Sequence, residues 1–223
     1  KRTCLAAFDD GQVGIEETIA DAAQELEAAF ESAFMQVIKK QAAAGKPFLS
    51  VVWFGSPHVP HLALPADKAP YSALSEAEQN YFGEITAVDR SVGRLRAALR
   101  ELKLTDNTLL WYNSDNGGHE GPKSTGNLRG EKGTLWEGGL RVPGLVEWPA
   151  RITKPFVSTT PCSTLDIYPT VLEASGVVAQ NQIQPLDGVS LIPLFDHQTE
   201  ARTKPLPFWN HAGPAYLDQI TFV

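Results

Sequence analysis

Between residues 15 and 44 apolar side chains return every third or fourth place: Ile15, Ile19, Ala22, Leu26, Phe30, Phe34, Val37 and Ile38. That spacing lines them along one face of a long helix. Acidic residues crowd its first half and Lys39 and Lys40 its end, the order a helix dipole favours, and Gly45 and Pro47 mark its stop. The period then changes. FLSVVWF, residues 48–54, is short, nearly continuous and rich in β-formers, which predicts a strand covered on both faces as in a parallel sheet. A proline-punctuated loop, GSPHVPHLALP, comes next. Ser75 with Glu78 predicts a capping box, opening a second helix with the stripe Tyr81, Ile85, Val88, Val92, Leu95, Leu99 and Leu102. Thr108 to Ser114 reads as the following strand, so strand, helix and strand form a βαβ unit with a right-handed crossover.

Past that strand, residues 117–139 hold eight glycines in 23 positions, a loop long enough to suggest a functional one. Residues 141–149 (RVPGLVEWP) predict a strand, and residues 165–176 (LDIYPTVLEASG) a short helix ending at Gly176, with Pro169 at its start or bend. After residue 180 the chain is loop-rich, with one more strand in LPFWNH. The expected architecture is α/β, a mostly parallel sheet flanked by helices over residues 1–180, with a small subdomain beginning at 181–223.

Composition adds limits. A chain of 223 residues can bury about 70% of its extended surface. A net charge of -7 argues against a general phosphate-backbone binder, while a local basic pocket stays possible. Cys4 and Cys162 form no CxxC pair and read as two separate thiols, with a single disulfide as the alternative. The sequence has no apolar run of membrane-spanning length.

Open α/β sheets bind ligands at the carboxyl ends of their strands. Two such ends are polar here: His58 and His61 after FLSVVWF, and Asp115, Asn116 and His119 after TLLWYNS. A carboxylate beside an amide oxygen suits a hard divalent cation, calcium or magnesium, although two ligands make at most half a site. The competing reading is an Asp-Asn-Gly turn whose side chains cap local backbone groups. The histidines suit proton transfer or contact with an anionic oxygen, or make only local bonds. Lys123 and Lys132 in the glycine-rich loop could neutralise an anionic substrate, or be solvated surface charges. GEKGT is no phosphate loop, and neither GxSxG nor GxGxxG occurs.

Taken in order, GSPHVPH, GEITAVDRSVGRLRAAL, NTLLWYNSDNGG, LRGEKGTLWEGGLRVPGLVEWP, TLDIYPTVLEASG and LDGVSLIPLF resemble the type I sulfatase family of the alkaline-phosphatase-like fold. The resemblance runs from about Phe48 to Phe195. It implies that Asp115 and Asn116 are calcium ligands and that Lys132 contacts the substrate sulfate. It likewise makes His58 a sulfate-ester ligand and acid toward the leaving oxygen. His61, His119, Arg129 and Trp136 receive no role from it and are candidates to line the pocket. In such enzymes the nucleophile is a formylglycine hydrate, made from cysteine or serine in CxPSR or SxPSR, which passes through a covalent sulfoenzyme.

Neither motif occurs in this sequence, nor does a GKWHLG-like segment. The aspartate pair that completes the calcium site at the end of a first strand is missing too, since Asp9 and Asp10 follow no recognisable strand. The expectation is therefore the later part of a larger sulfatase, incomplete at both ends and inactive by itself. Its partners would be a sulfated small molecule or carbohydrate and the missing N-terminal part. A sulfatase-like module that binds anions without turnover is one rival. A phosphatase or phosphonate hydrolase of the same superfold is another, although no second Asp/His cluster favours it. Secretion or periplasmic export fits the family.

Overall fold

The computed structural model describes residues 4–7, 34–119, 124–182, 185–209 and 220–222. Within them the chain divides into two compact units, Lys1–Thr105 and Asp106–Val223. The predicted first helix falls mostly outside the described residues; its end, residues 34–44 (α1), is helical. Phe34 and Ile38, one turn apart, are buried there. Gly45 at φ +62° ends α1, with its N–H on Ala42 O at 3.1 Å and that of Lys46 on Gln41 O at 3.3 Å. This is the Schellman arrangement that a terminal glycine makes easy.

In the first unit β1 (Cys4–Ala7) pairs antiparallel with β2 (Ser50–Trp53), Cys4 opposite Trp53 and Ala7 opposite Ser50. A four-residue helix, α2 (Pro65–Lys68), then leads to the long α3 (Glu76–Glu101). The capping box at Ser75 forms as anticipated, the Ser75 oxygen accepting from the Glu78 N–H and the Glu78 carboxylate from the Ser75 N–H. Arg90 of α3 grips the buried Asp67 of α2 through both carboxylate oxygens, Nη2 at 2.9 Å from Oδ2. Gly83 of α3 lies against α2 and the residues before it: a Cβ there would lie 2.5 Å from Ala63 Cβ and 3.3 Å from the Asp67 carbonyl carbon.

In the second unit β3 (Leu110–Asn113) pairs antiparallel with β4 (Gly144–Glu147), Trp111 opposite Val146. A short helix α4 (Glu137–Leu140) precedes β4. After β4 come a 3-10 turn (Thr164–Asp166) running into α5 (Ile167–Ser175), then α6 (Ile192–Phe195). Pro169 stands in the first turn of α5, where no intrahelical N–H is needed, and Gly176 ends it at φ +67°. The last pair, β5 (Pro207–Trp209) and β6 (Ile220–Phe222), is again antiparallel.

The core of this unit is Leu191, Ile192 and Phe195 of α6 and its cap, packed by Trp111 of β3 and Leu109 just before it, and by Val146 of β4 and Trp148 just after it. Those residues alternate along each strand, so one face of the β3–β4 ribbon is bound to α6. The opposite face carries Leu145, 64% exposed. Beneath α5 lies the buried Asp166. Its carboxylate accepts from the N–H groups of Ser163 (2.8 Å) and Val189 (2.9 Å) and from both ends of the Arg202 guanidinium (2.7 and 2.9 Å). Thr170, also buried, donates to Asp166 O and accepts from the Leu191 N–H at 2.9 Å.

Two expectations change. Among the described residues all three strand pairs are antiparallel, and the anticipated parallel neighbours β2 and β3 belong to separate units. The connection after β3 returns as β4 and supplies an antiparallel partner. Nor is β2 covered on both faces, since Trp53 is 54% exposed and Phe48 and Leu49 are exposed too. A two-stranded ribbon offers its side chains too few neighbours for full burial.

Candidate functional site

β3 ends because its last residues turn their polar groups onto the local backbone. Asn113 Nδ2 donates to Ser114 O at 2.8 Å, and the Ser114 hydroxyl donates to Asn116 O at 3.0 Å. Asp115 and Asn116 follow, and Gly117 and Gly118 then run against the glycine-rich loop. The Gly117 N–H donates to Gly139 O at 2.9 Å, and the Lys132 N–H to Gly118 O at 2.8 Å. Side chains could not fit at this contact: a Cβ on Gly117 would lie 1.8 Å from Gly138 O, and one on Gly138 2.0 Å from Gly130 O. The two glycines after Asn116 thus let a second stretch of backbone lie directly on the turn, and that stretch carries Lys132.

The 129–139 loop is braced from within. Gly138 N–H donates to Arg129 O at 2.7 Å, the Thr134 hydroxyl to Glu131 O at 2.7 Å, and the Thr134 N–H to the same carbonyl at 3.0 Å. Gly130 and Gly133 take φ of +80° and +86°, a region closed to most side-chain-bearing residues, and let the chain fold tightly around Lys132. Arg129 lies over the Trp136 indole, its guanidinium carbon 3.5 Å from the ring centroid.

Against this bracing, the side chains of Asp115, Asn116 and Lys132 make no hydrogen bond or ion pair among the described residues. Among the described residues the Asp115 and Asn116 side chains cap no local backbone group. Their oxygens are the hard donors calcium prefers, in the part-exposed position an ion could reach. They form a partial donor set: no group of three or more His, Cys, Asp or Glu suited to a metal occurs among the described residues. His119 is exposed beside them, its carbonyl accepting from the Ser124 hydroxyl at 2.8 Å. Lys123 lies outside the described residues.

His58 and His61 belong to the first unit, in a segment where the Ser56–Pro57 and Val59–Pro60 bonds are cis. His58 Nδ1 is 2.8 Å from Val59 O and His61 Nε2 is 2.9 Å from Pro57 O. A carbonyl can only accept, so both ring nitrogens are donors. For the exposed His58 this leaves Nε2 as the atom able to give or take a proton. The His61 ring stands edge-on to Tyr81, centroids 5.1 Å apart. Sequence reasoning missed what pins this loop: Leu62 N–H donates to Glu84 Oε1 at 2.7 Å and Ala63 N–H to Asn80 Oδ1 at 3.2 Å. A signal existed, because Glu84 is a carboxylate set among the apolar stripe of Tyr81, Ile85 and Val88.

Cys162 carries a free thiol and is exposed as a residue, yet partial burial of the sulfur and the Asp166 carboxylate push its pKa above the ordinary 9.0, with Arg202 opposing. It stays protonated at neutral pH and is no activated nucleophile.

A sequence model described as Sulfatase matches residues 11–177. The chain belongs to the sulfatase family. It is 32% identical to a sulfatase of Formosa agariphila over 206 residues, covering 85% of this chain and 37% of that protein. It is 35% identical to the steryl-sulfatase of Mus musculus, with 78% of this chain and 28% of that one covered. Among solved structures, Ps i-CgsB in complex with k-i-k-neocarrahexaose superposes with a TM-score of 0.73 at 31% identity, over 91% of this chain and 44% of its own. The fold is thus the α/β one of these sulfatases, and the chain spans less than half the length of the sulfatase relatives named here.

Proposed function

We propose that this chain contributes part of the active site of a sulfuric ester hydrolase. The observation that carries it is the turn at Asp115 and Asn116, whose side-chain oxygens are unengaged among the described residues and whose backbone is joined to the Lys132 loop. In that reading Asp115 and Asn116 would hold a calcium ion, which would supply polarisation of the sulfate oxygens. The Lys132 ammonium contacts the sulfate and offsets the charge that grows as the S–O bond to the organic group breaks. His58, its Nδ1–H held by Val59 O, belongs to the first unit, and its part as the acid rests on the family resemblance alone. The attacking group expected for the family, formylglycine from CxPSR or SxPSR, has no motif in these 223 residues, so turnover requires residues beyond them.

Substrates follow by likeness only. The mouse relative is named a steryl-sulfatase, and the Ps i-CgsB structure contains a neocarrahexaose. A sulfated ring compound, carbohydrate or steroid, is the class these names share. The test is sulfate release by the protein as it occurs in its source, offered sulfate esters and the matching phosphate esters of a phenol and a sugar. Release of sulfate in preference to phosphate is expected. Hydrolysis of the phosphate esters alone would overturn the reading.

A further inference from the structure

Arg129 and Trp136 have no task in the reading just given, yet both sit on the loop that places Lys132. The guanidinium rests on the indole at 3.5 Å, and neither side chain makes a hydrogen bond or ion pair among the described residues. Trp136 is 49% exposed, although a residue of its size buries readily when a core is available. The loop's two carboxylates do not neutralise the cation: Arg129 pairs with neither, and Glu137 faces Arg141 at 3.6 Å. In a chain of net charge -7, two cations unpaired among the described residues, Arg129 and Lys132, therefore stand three residues apart on one braced loop.

A guanidinium held over an aromatic ring by one face keeps its N–H groups, which lie in the guanidinium plane, available. Those donors match the paired oxygens of a sulfate or carboxylate. The backbone beneath is fixed by the Gly138–Arg129 hydrogen bond of 2.7 Å and by the Trp136 side chain crossing Gly130, where a Cβ would lie 2.6 Å from Trp136 Cβ. Arg129 is thus a pre-positioned anion donor with an aromatic ring beside it, the pairing that suits a charged saccharide ring.

We propose that the Arg129–Trp136 stack is a second anion subsite, which takes a sulfate or carboxylate on a substrate whose reacting sulfate lies at Lys132. The substrate class is then a saccharide bearing at least two anionic groups, rather than a singly sulfated steroid or phenol. This rests on the sulfatase reading for the role of Lys132.

The experiment is calorimetric titration of the protein with a disulfated disaccharide and with the same disaccharide carrying one sulfate, with sulfate release followed in parallel. Wild-type protein should bind the disulfated probe about tenfold more tightly, the scale of one charge-assisted contact. Arg129→Met should abolish that preference, and Arg129→Lys, which keeps the charge but loses the planar fork, should retain part of it. A wild-type protein without the preference, or Arg129→Met protein that keeps it, overturns the proposal. Equal weakening of both probes by Arg129→Met and Arg129→Lys alike also overturns it, since that marks a structural role. Preference without sulfate release would remove the hydrolase reading and leave the subsite; release without preference would do the reverse.

Discussion

Two aspartates of the second unit show how surroundings decide a carboxylate's use. Asp166 is fully buried and accepts four hydrogen bonds, two of them from Arg202. Asp115 accepts none among the described residues and is exposed. The first carboxylate is committed to the fold, the second is available to a ligand. Removing one partner of a buried ion pair leaves the other charged and uncompensated, so Asp166→Ala should cost about 3–5 kcal/mol in urea unfolding. A loss near zero would show that the pair is not closed in solution. Arg151 and Asp196 form a more exposed pair at 2.6 Å, where the Arg151 hydrogen bond holds the Asp196 carboxyl below its ordinary 3.8. A carboxyl depressed by folding stabilises above its unfolded value and stops doing so as pH falls through the folded one. Wild-type and Asp196→Asn proteins should therefore differ in stability at neutral pH and converge below pH 3.8, a comparison made by unfolding across an acid series.

At the scale of elements, the helix ends repeat one device with different residues. α3 closes at Lys103, φ +57°, with the Leu104 N–H on Leu99 O at 2.8 Å, the pattern that Gly45 and Gly176 adopt without strain. A left-handed residue bearing a side chain costs about 1 kcal/mol, so Lys103→Gly should raise stability by up to that much in thermal unfolding. The contact between the β3 turn and the glycine-rich loop is the opposite case. Gly117→Ala puts a methyl 1.8 Å from Gly138 O, and separation of the two should lower stability by about 1–3 kcal/mol and sulfate hydrolysis with it. Unchanged hydrolysis in that variant would mean that the contact does not position Lys132. The capping box at Ser75, the stop at Gly176 and the strand read over Thr108 to Ser114, found as Leu110–Asn113, were legible in the sequence, because each rests on contacts within a few residues. α6 was not: four residues show no period, and what makes Leu191 to Phe195 helical core is the distant face of Trp111 and Val146. Strand direction was illegible for the same reason, since an apolar run such as FLSVVWF does not say which partner it will meet.

For the whole molecule, family membership rests on a match across residues 11–177 and on relatives of which this chain spans 28% and 37%. The candidate site was visible as residue types at strand ends, and Lys132 was tied to Asp115 only by resemblance. In the structure the Lys132 N–H donates at 2.8 Å to the carbonyl of Gly118, three residues after Asp115. No helix among the described residues is long and apolar enough to cross a membrane. The most direct test of the account is kcat/KM for sulfate release by the protein from its source, with calcium supplied, for wild type, Lys132→Ala and Asp115→Ala. Loss of about 10²–10³-fold in Lys132→Ala, and in Asp115→Ala a loss that excess calcium partly restores, is the predicted result. Sulfate release at wild-type rate in both variants would contradict it.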